Sequence, residues 1–277
     1  MCVTFSSKLA LDECRQARQK EGDPTCRSKT ARGNTQKGVS MNQNIHFDPD
    51  KLIKQGKTKN VYQGPGGNIV LEFTDRVTGI AASGEIDPGG NDRLGELQGK
   101  SELAYKMALY FFRRLQQHNL PTHFIDACDE RRLFLVRPSR MFGNGLEWIY
   151  RGVASGSFVR RYGMYIKEGS PILPYVETSF KDDERGDPFV TPQALHLLGV
   201  MPQQAYEACM QLCSNVFALV SSTMLSLGLA LWDMKIELGL DAEGRIMVID
   251  EISPDCMRVY HGKNKISASE LGTFFGF

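Results

Sequence analysis

Neither sign of charge is in excess in this sequence, and its cysteines form no recognisable pattern. The 277 residues contain 33 lysines and arginines against 32 aspartates and glutamates. This balance gives no indication of a nucleic-acid partner or of an acidic membrane surface as a partner. The seven cysteines are odd in number and include no CxxC pair, which argues against a disulfide framework and a zinc ribbon. We therefore expect a protein of a reducing compartment.

Long apolar runs are also missing. The most apolar stretch, residues 216–231, is interrupted by Ser221, Ser222, Thr223 and Ser226. It predicts a buried helix that continues into a strand rather than a membrane span. The N-terminus lacks the apolar core of a signal peptide. With 42% hydrophobic and 23% charged residues, the composition predicts a soluble, cytoplasmic protein with no membrane partner.

The sequence contains no recognisable nucleophilic triad and no histidine metal site. Its five histidines show neither the HExxH motif nor another ligand spacing. No histidine is paired in sequence with Cys256, which argues against a cysteine–histidine nucleophile. Candidate chemistry therefore has to come from the clusters of carboxylates, lysines and arginines.

Residues 1–40 differ in composition from the rest of the chain. They contain eight lysines and arginines, four acidic residues and three of the seven cysteines, without a sustained apolar periodicity. Such a segment cannot bury enough apolar surface to offset the entropy lost on ordering. We predict a disordered leader, with Met41 as an alternative start. A transit peptide is the other interpretation, although the acidic residues count against it.

The remaining chain combines short strands and turns with two long helices. Residues 60–73 predict a β-hairpin around a glycine-rich bend, and residues 83–99 form a polar, glycine-rich stretch. Apolar side chains spaced three or four apart predict a helix over residues 100–117. A second hairpin over residues 124–137 and a largely buried helix over residues 202–227 complete the pattern.

The densest cluster of ionisable side chains lies within residues 229–255. Asp233, Lys235 and Glu237 alternate with apolar residues, so that a strand would direct all three to one face. Carboxylates that converge in this way suit a hard divalent cation, and we predict a metal site. The alternative is the solvated outer face of an edge hairpin.

The second strand of this hairpin decides whether a further carboxylate joins the cluster. A turn that pairs Leu240 with Arg245 would set Asp250 opposite Lys235, on the charged face. A change of one residue in the loop would move Asp250 to the other face, because side chains alternate along a strand. The prediction of Asp250 as a ligand therefore depends on the register.

A second cluster contains Gly56, Lys57, Thr58 and Lys59 between two short strands. A glycine in a turn leaves backbone N–H groups accessible to phosphate oxygens, and a lysine supplies a point charge. The GxxxxGK[ST] spacing of a Walker loop is absent. An exposed basic turn is the alternative interpretation.

Two further clusters combine charged residues with glycines. Small residues separate Arg151 from Ser157, and Arg160 and Arg161 follow directly. An arginine fork beside a glycine–serine loop indicates an anion site, for phosphate or carboxylate. The other cluster, residues 180–188, mixes both signs of charge around a turn. A plain glycine–serine loop and a solvated loop are the respective alternatives.

Taken in order, these clusters resemble the SAICAR synthetase (phosphoribosylaminoimidazole-succinocarboxamide synthase) family. The resemblance runs from about Lys54 to Tyr260 and is carried by four segments: GKTKNVY, EWIYRGVASGSFVRR, FKDDERGDP, and WDMKIELGLD with VIDEISPDCMR. It implies a two-lobed α+β fold. A small β-rich nucleotide lobe, residues 41–135, would cover ATP, and a larger α/β lobe, residues 136–277, would hold metal and substrate.

The resemblance also implies a role for each cluster. The implied nucleotide-binding residues are Gly56, Lys57, Lys59, Val136, Arg137 and Met141. The implied substrate-binding residues are Arg151, Ser157, Lys181, Asp187 and Arg258. Glu237 and Asp250 would bind Mg²⁺, and Asp233 and Lys235 would lie beside the reacting carboxylate as catalytic residues. The implied enzyme is an ATP-dependent carbon–nitrogen ligase of purine biosynthesis. It would join carboxyaminoimidazole ribotide to L-aspartate through an acyl phosphate, and a homo-oligomer is compatible with it.

The chain departs from the family pattern in three places. The family commonly has serine before the arginine and tryptophan soon after it, whereas this chain has Cys256, Met257 and Tyr260 around Arg258. Only 17 residues follow Tyr260, and Pro138 removes a backbone donor near the expected adenine pocket. These departures leave two alternatives: a paralogous ATP-dependent amide ligase of a specialised nucleoside pathway, and a non-catalytic nucleotide-binding protein.

Overall fold

Three antiparallel sheets and five α-helices make up the described residues, 45–87 and 90–277, of the structure, which is a computed structural model. These residues belong to one compact unit. The leader predicted over residues 1–40, and with it Met41, lies outside them. Antiparallel sheets combined with separate helices make an α+β fold, as predicted.

The described chain opens with a meander of three strands, β1 (Leu52–Gln55), β2 (Lys59–Gln63) and β3 (Ile69–Phe73). Strands β2 and β3 pair along their full length, which confirms the predicted hairpin. Gly66 and Gly67 form the bend at φ +64° and +81°, a left-handed region that glycine enters without the steric cost of a Cβ atom.

Strands β4 (Arg76–Ile80), β5 (Glu85–Ile86) and β6 (Asp92–Glu96) form a separate sheet in the order β5-β4-β6. The sequence indicated only a polar stretch in this region. Most side chains of β5 and β6 are exposed. The alternation of apolar and polar residues that identifies a half-buried strand is therefore absent.

Helix α1 (Lys100–Gln117) begins and ends where the apolar spacing predicts. Met107, Phe111 and Leu115 have no exposed surface at all. Burial of side chains of this size contributes about 1.5–3 kcal/mol each to folding. The helix is thus fixed by one apolar face, which packs in the main core.

Strands β7 (Phe124–Cys128) and β8 (Leu133–Val136) form the second predicted hairpin. Because β8 also pairs with β3, the two hairpins join in one five-stranded sheet, in the order β1-β2-β3-β8-β7. This sheet ends at Val136, next to the lobe boundary predicted at residue 135.

The second large sheet has eight strands and surrounds the charged strand predicted from the sequence. Its core order is β12-β11-β10-β13-β15-β16, and β9 and β14 pair with β13 as well. The strands are β9 (Arg140–Met141), β10 (Leu146–Val153), β11 (Pro171–Phe180), β12 (Phe189–Val190), β13 (Ala230–Leu240), β14 (Ile246–Ile249), β15 (Met257–His261) and β16 (Asn264–Lys265). The helices of this region are α2 (Gly156–Tyr162), α3 (Pro192–Leu197), α4 (Gln203–Ser226) and α5 (Ala268–Phe275).

By length and composition alone, α4 could cross a membrane, and it is the one such helix among the described residues. Nine of its side chains are buried, among them Cys209, Val216 and Val220. All nine except Thr223 belong to the main core. The buried helix that the sequence predicted over residues 202–227 is therefore confirmed.

One hydrophobic core continues beneath both large sheets. It joins Phe73 of β3, Phe111 of α1 and Phe134 of β8 to Trp148 of β10 and Met234 of β13. The boundary near residue 135 thus separates two sheets that share a core. The division into two lobes, residues 41–135 and 136–277, stays a prediction.

Candidate active site

The charged strand β13 pairs with β14 one residue out of the predicted register. Leu240 pairs with Ile246 and Glu237 with Ile249, so the expected pairing of Leu240 with Arg245 is wrong. The loop between the strands has five residues, 241–245, because Arg245 still belongs to the turn: its carbonyl accepts a hydrogen bond from the Asp241 N–H at 3.0 Å. By alternation alone, Asp250 would now point away from Glu237.

Asp250 nevertheless faces Glu237, because its backbone is left-handed. Its φ is +64°, a conformation that costs non-glycine residues on the order of 1–2 kcal/mol and that aspartate tolerates better than most. This conformation directly follows the last residue of β14, where it breaks the alternation of the strand. The carboxylate lies 3.1 Å from the Lys59 Nζ and close enough to Glu237 for their charges to interact.

Two lysines neutralise this carboxylate pair. The Lys181 Nζ donates to the Glu237 Oε1 at 2.5 Å. Burial, followed by the charge of Asp250, raises the pKa of Glu237, although Lys181 opposes the rise. Burial would also raise the pKa of Asp250, but Lys59 and Lys181 together lower it to about 2. Asp250 is therefore ionised at neutral pH.

Lys59 also forms an ion pair with Glu251, the residue after Asp250. Burial alone would lower the pKa of Lys59, but Asp250 and Glu251 raise it, so the ammonium group stays charged. Glu251 is not among the residues predicted for the site, although it stands inside the VIDE segment beside a predicted ligand. Its Oε2 is buried and accepts no hydrogen bond from the described residues.

A tight turn places the predicted phosphate-binding lysines beside these acids. The Gly56 N–H donates to the Lys59 carbonyl at 2.8 Å. A Cβ atom on Gly56 would lie 2.7 Å from the same oxygen, so the turn requires glycine. The Lys57 Nζ donates to the Asn91 Oδ1 at 2.9 Å and to the Asp183 Oδ1 at 2.5 Å.

These groups line one cavity, the first cleft, of about 480 Å³. Its lining includes the turn of residues 56–59 and four predicted residues: Lys181, Lys235, Glu237 and Asp250. The first cleft therefore brings together the predicted phosphate-binding lysines, the predicted metal ligands and Lys181.

A second cavity, the second cleft, of about 230 Å³, contains the other predicted substrate residues. Its lining includes Arg151, Ser157, Asp187, Asp233 and Arg258. Asp187 is held by the side chain of Asn91, whose Nδ2 lies 2.5 Å from its Oδ2. Every predicted catalytic, substrate-binding and metal-binding residue thus lines one cleft or the other.

Asp233 is the centre of a buried network in the second cleft. Its Oδ2 accepts hydrogen bonds from the Arg151 Nη1 at 2.8 Å, the Arg258 Nη1 at 2.7 Å and the Ser155 hydroxyl at 2.6 Å. Strand pairing sets Arg151 and Arg258 on either side of Asp233. With three donors on one oxygen and 2% exposure, Asp233 fixes the two arginines in place.

Two further acids, neither of them predicted from the sequence, complete this network. The Arg151 Nε donates to the Glu177 Oε1 at 2.9 Å, and the Arg258 Nη2 donates to the Asp87 Oδ1 at 2.5 Å. Glu177 and Asp87 lie far in sequence from the arginines that they bind. Sequence spacing alone carries no signal for such pairs.

Lys235 lies where the two clefts meet. It lines both, together with Asn91, Glu147 and Cys256. Its Nζ donates to the Glu147 Oε1 at 2.7 Å, and the Ser179 hydroxyl donates to the Glu147 Oε2 at 3.0 Å. Burial would lower the pKa of Lys235, but Glu147 raises it, so that Lys235 is a cation and not a base at neutral pH.

The three residues predicted to line the adenine pocket lie elsewhere. Val136 is buried in β8, Arg137 is exposed, and Met141 is 42% exposed in β9. None of them lines either cleft. Their role in nucleotide binding stays a prediction.

Glu237 and Asp250 are the donors available for a divalent cation. Within residues 45–87 and 90–277, no group of three or more histidine, cysteine or acidic side chains could hold a metal ion. Mg²⁺ is often bound through one or two carboxylates, with phosphate oxygens and water as its other ligands. Burial and then the charge of Asp250 raise the pKa of Glu237, and a bound cation would offset both effects. The donor set therefore fits a Mg²⁺ ion that binds together with a nucleotide.

Sequence comparison links this chain to named proteins over most of its length. The phosphoribosylaminoimidazole-succinocarboxamide synthase of Clostridium tetani is 40% identical over 221 residues, which cover 79% of this chain and 96% of that protein. The protein of the same name from Sulfolobus acidocaldarius is 32% identical over 223 residues, or 80% of this chain and 89% of that one.

Solved structures give the same result for the fold. A SAICAR synthetase in complex with ADP superposes with a TM-score of 0.68 at 27% identity, over 76% of this chain and 86% of that one. The SAICAR synthetase of Pyrococcus horikoshii superposes with a TM-score of 0.64 at 27% identity, over 75% and 85% of the two chains. The match to the SAICAR synthetase family covers residues 52–271. The chain belongs to the SAICAR synthetase family.

Proposed function

We propose that this protein joins carboxyaminoimidazole ribotide to L-aspartate, with ATP converted to ADP and phosphate. The observation that carries the proposal is the position of Lys235 and Glu147 in the lining of both clefts. A reaction between a nucleotide in one cleft and a carboxylate in the other would take place beside this pair. The names of the relatives support the chosen substrates, and the ADP complex of a related structure supports the nucleotide.

The first step would be phosphoryl transfer. A substrate carboxylate oxygen attacks the γ-phosphorus of ATP, and ADP leaves. Lys57 and Lys59 line the first cleft and would neutralise phosphate charge, which is the main requirement of such a transfer. Mg²⁺ on Glu237 and Asp250 would supply further positive charge to the phosphate oxygens.

The second step would be acyl transfer. The amine nitrogen of L-aspartate attacks the carbonyl carbon of the acyl phosphate, phosphate leaves, and the nitrogen loses a proton. Lys235 is a cation, so it would stabilise the negative charge of the reacting group rather than accept this proton. Because the Asp233 Oδ2 accepts hydrogen bonds from both Arg151 and Arg258, we assign Asp233 to the positioning of these two arginines.

The remaining features follow from this assignment. We infer that residues 41–135 cover the nucleotide, that residues 136–277 hold the ribotide, and that the enzyme works in the cytoplasm. The paralogous amide ligase is less favoured because the relatives share one name. The non-catalytic nucleotide-binding protein is less favoured because both clefts contain the charged residues predicted for catalysis. A homo-oligomer stays a prediction.

An ADP-release assay with the carboxy-ribotide and L-aspartate tests the proposal. We expect ADP formation that requires both substrates, and a product of the mass of SAICAR. Omission of L-aspartate, and its replacement by L-alanine, are the controls. A folded protein that turns over neither substrate would refute the proposal, and turnover with any amine would favour the paralogous ligase.

A further inference from the structure

The two lysines of the β1–β2 turn have different surroundings, although both are predicted to bind phosphate. Lys59 is 7% exposed, and its ammonium group is paired with Asp250 and Glu251. Lys57 has 30% of its side chain exposed and forms no ion pair with either of these acids. Lys59 is therefore held in the buried part of the first cleft, whereas Lys57 lies at its open side.

The ammonium group of Lys57 is bound by residues that lie far away in sequence. It donates to the Asp183 Oδ1 at 2.5 Å and to the Asn91 Oδ1 at 2.9 Å. Asp183 belongs to the tight turn that follows strand β11, in which the Gly186 N–H donates to the Asp183 carbonyl at 3.2 Å. Lys57, Asn91 and Asp183 all line the first cleft. The Lys57–Asp183 ion pair thus joins two separate turns in the wall of the cleft.

The backbone of Lys57 is held in place independently of this ion pair. The Arg76 Nε donates to the Lys57 carbonyl at 3.2 Å, and the Arg76 Nη2 donates to the Asn60 Oδ1 at 2.7 Å. If the ion pair opens, the turn therefore stays where it is and only the Lys57 side chain is released. The flexible four-carbon stem of lysine then allows the ammonium group to change its partner.

A nucleotide phosphate and the Asp183 carboxylate would compete for Lys57. An ammonium group has three donors, and Asn91 and Asp183 use two of them. A phosphate oxygen on the third donor would lie about 4–5 Å from the carboxylate oxygen, a distance at which two negative charges repel each other. Because a triphosphate carries more negative charge than one carboxylate, its binding would draw Lys57 away from Asp183.

We propose that Asp183 is an internal competitor of ATP, which occupies the ammonium group of Lys57 until the phosphates of the nucleotide displace it. This inference rests on the proposed function for the role of Lys57 as a phosphate ligand. Asp183 lowers the affinity for ATP, because only molecules with an open Lys57–Asp183 ion pair can offer Lys57 to the phosphates. It acts on the nucleotide through Lys57 alone and is not a ligand of the substrates.

The exposure of the two side chains determines the size of the effect. The Asp183 side chain is 53% exposed and that of Lys57 is 30% exposed. Ion pairs with this access to water are weak, and we expect the pair to reduce the affinity for ATP about two- to fivefold. A pair of this strength is closed in most molecules, yet a more highly charged ligand opens it easily.

Calorimetry with AMP-PNP, a non-hydrolysable analogue of ATP, and Mg²⁺ tests the proposal. Asp183→Asn should bind AMP-PNP about two- to fivefold more tightly than the wild type. Glu184→Gln is the matched control, because Glu184 is the next residue of the same turn, is exposed and lines neither cleft. It removes the same charge and should leave the affinity unchanged. Equal or weaker binding by Asp183→Asn would overturn the proposal.

A double-mutant cycle with Lys57 separates competition for the lysine from direct repulsion between Asp183 and the phosphates. Lys57→Gln alone should weaken AMP-PNP binding about tenfold or more, since it removes a charge-assisted contact. In the Lys57→Gln background, the further change Asp183→Asn should have no effect, because there is no ammonium group left to compete for. A gain in affinity of the same size in both backgrounds would show direct repulsion and would overturn the proposal.

The binding cycle requires no turnover, so its result is independent of the ligase assay. If the ligase assay fails while the cycle gives the expected pattern, the proposed function is wrong and the competition for Lys57 stands. If the ligase assay succeeds while wild type and Asp183→Asn bind AMP-PNP equally, the competition is wrong and the proposed function stands. In an active enzyme, Asp183→Asn should lower the KM for ATP about two- to fivefold and leave the KM values for the ribotide and L-aspartate unchanged. A shift of all three KM values together would indicate a general structural effect and count against the proposal.

Discussion

Replacement of Glu237 by glutamine should separate catalysis from stability. Glu237 and Asp250 bring two negative charges into the first cleft, and Glu251 adds a third, against the positive charges of Lys59 and Lys181. Glu237→Gln removes one anionic ligand and leaves this group neutral. It also releases the Lys181 ammonium, which can then compete with a divalent cation for Asp250.

We expect a fall in kcat of a hundredfold or more, equivalent to about 3 kcal/mol of transition-state stabilisation. The half-saturating Mg²⁺ concentration should rise as well. Stability should not fall, because the raised pKa of Glu237 means that its ionisation at neutral pH opposes folding. The thermal midpoint of Glu237→Gln should therefore equal or exceed that of the wild type.

The assay is a Mg²⁺ titration of ADP release, combined with thermal unfolding and with calorimetry of Mn²⁺ binding in the presence of ADP. Asp250→Asn should also lower kcat and raise the half-saturating Mg²⁺ concentration, but it should lower stability, because Lys59 and Lys181 hold the pKa of Asp250 at about 2 and its ionisation favours folding. Glu243→Gln, which removes a carboxylate that is 65% exposed in the β13–β14 loop, is the control and should match the wild type. Near-normal turnover of Glu237→Gln with an unchanged Mg²⁺ dependence would refute the metal assignment.

Three further predictions concern stability. Arg151→Ala should destabilise the protein by about 3 kcal/mol in urea unfolding, because Asp233 and Glu177 would each lose one of their two arginine partners; a change in KM alone, at full stability, would contradict this. Phe111→Ala should cost about 3–5 kcal/mol by the same measurement, since it opens a cavity in the core. Burial lowers the pKa of His123 to about 4, although Asp250 partly opposes it. Below pH 6.5 the unfolded chain therefore binds a proton at His123 that the folded protein does not bind, and the free energy of unfolding falls between pH 6.5 and pH 4. Between pH 7 and pH 5, His123→Gln should lose less stability than the wild type, by on the order of 2 kcal/mol, and equal losses would show that His123 does not titrate this way.

Local sequence patterns predicted the elements that bury one face along their whole length. Helix α1 has the bounds that its apolar spacing indicates, and both predicted hairpins form. Strands β5 and β6 were not predicted, because short exposed strands do not alternate between apolar and polar residues. The failures of prediction therefore follow from the absence of burial rather than from an unusual sequence.

Local sequence patterns also predicted only part of the candidate site. Sequence motifs identified many of the residues that line the clefts, but not the acids that hold them: Glu147, Glu177 and Asp87 come from distant strands or loops. The position of Asp250 was predicted for the wrong reason. The predicted register was off by one residue, and a left-handed backbone restored the expected face.

The amino acid at position 250 has to meet two independent requirements, one from the left-handed backbone and one from the site. The backbone at φ +64° accepts glycine, asparagine or aspartate most readily. The proposed role of this residue as a magnesium ligand next to Lys59 requires an anionic oxygen. Glycine and asparagine satisfy the first demand and fail the second, whereas glutamate supplies the charge but strains the backbone. Among the twenty amino acids, aspartate alone meets both, so a saturation library at this codon should return a single functional residue.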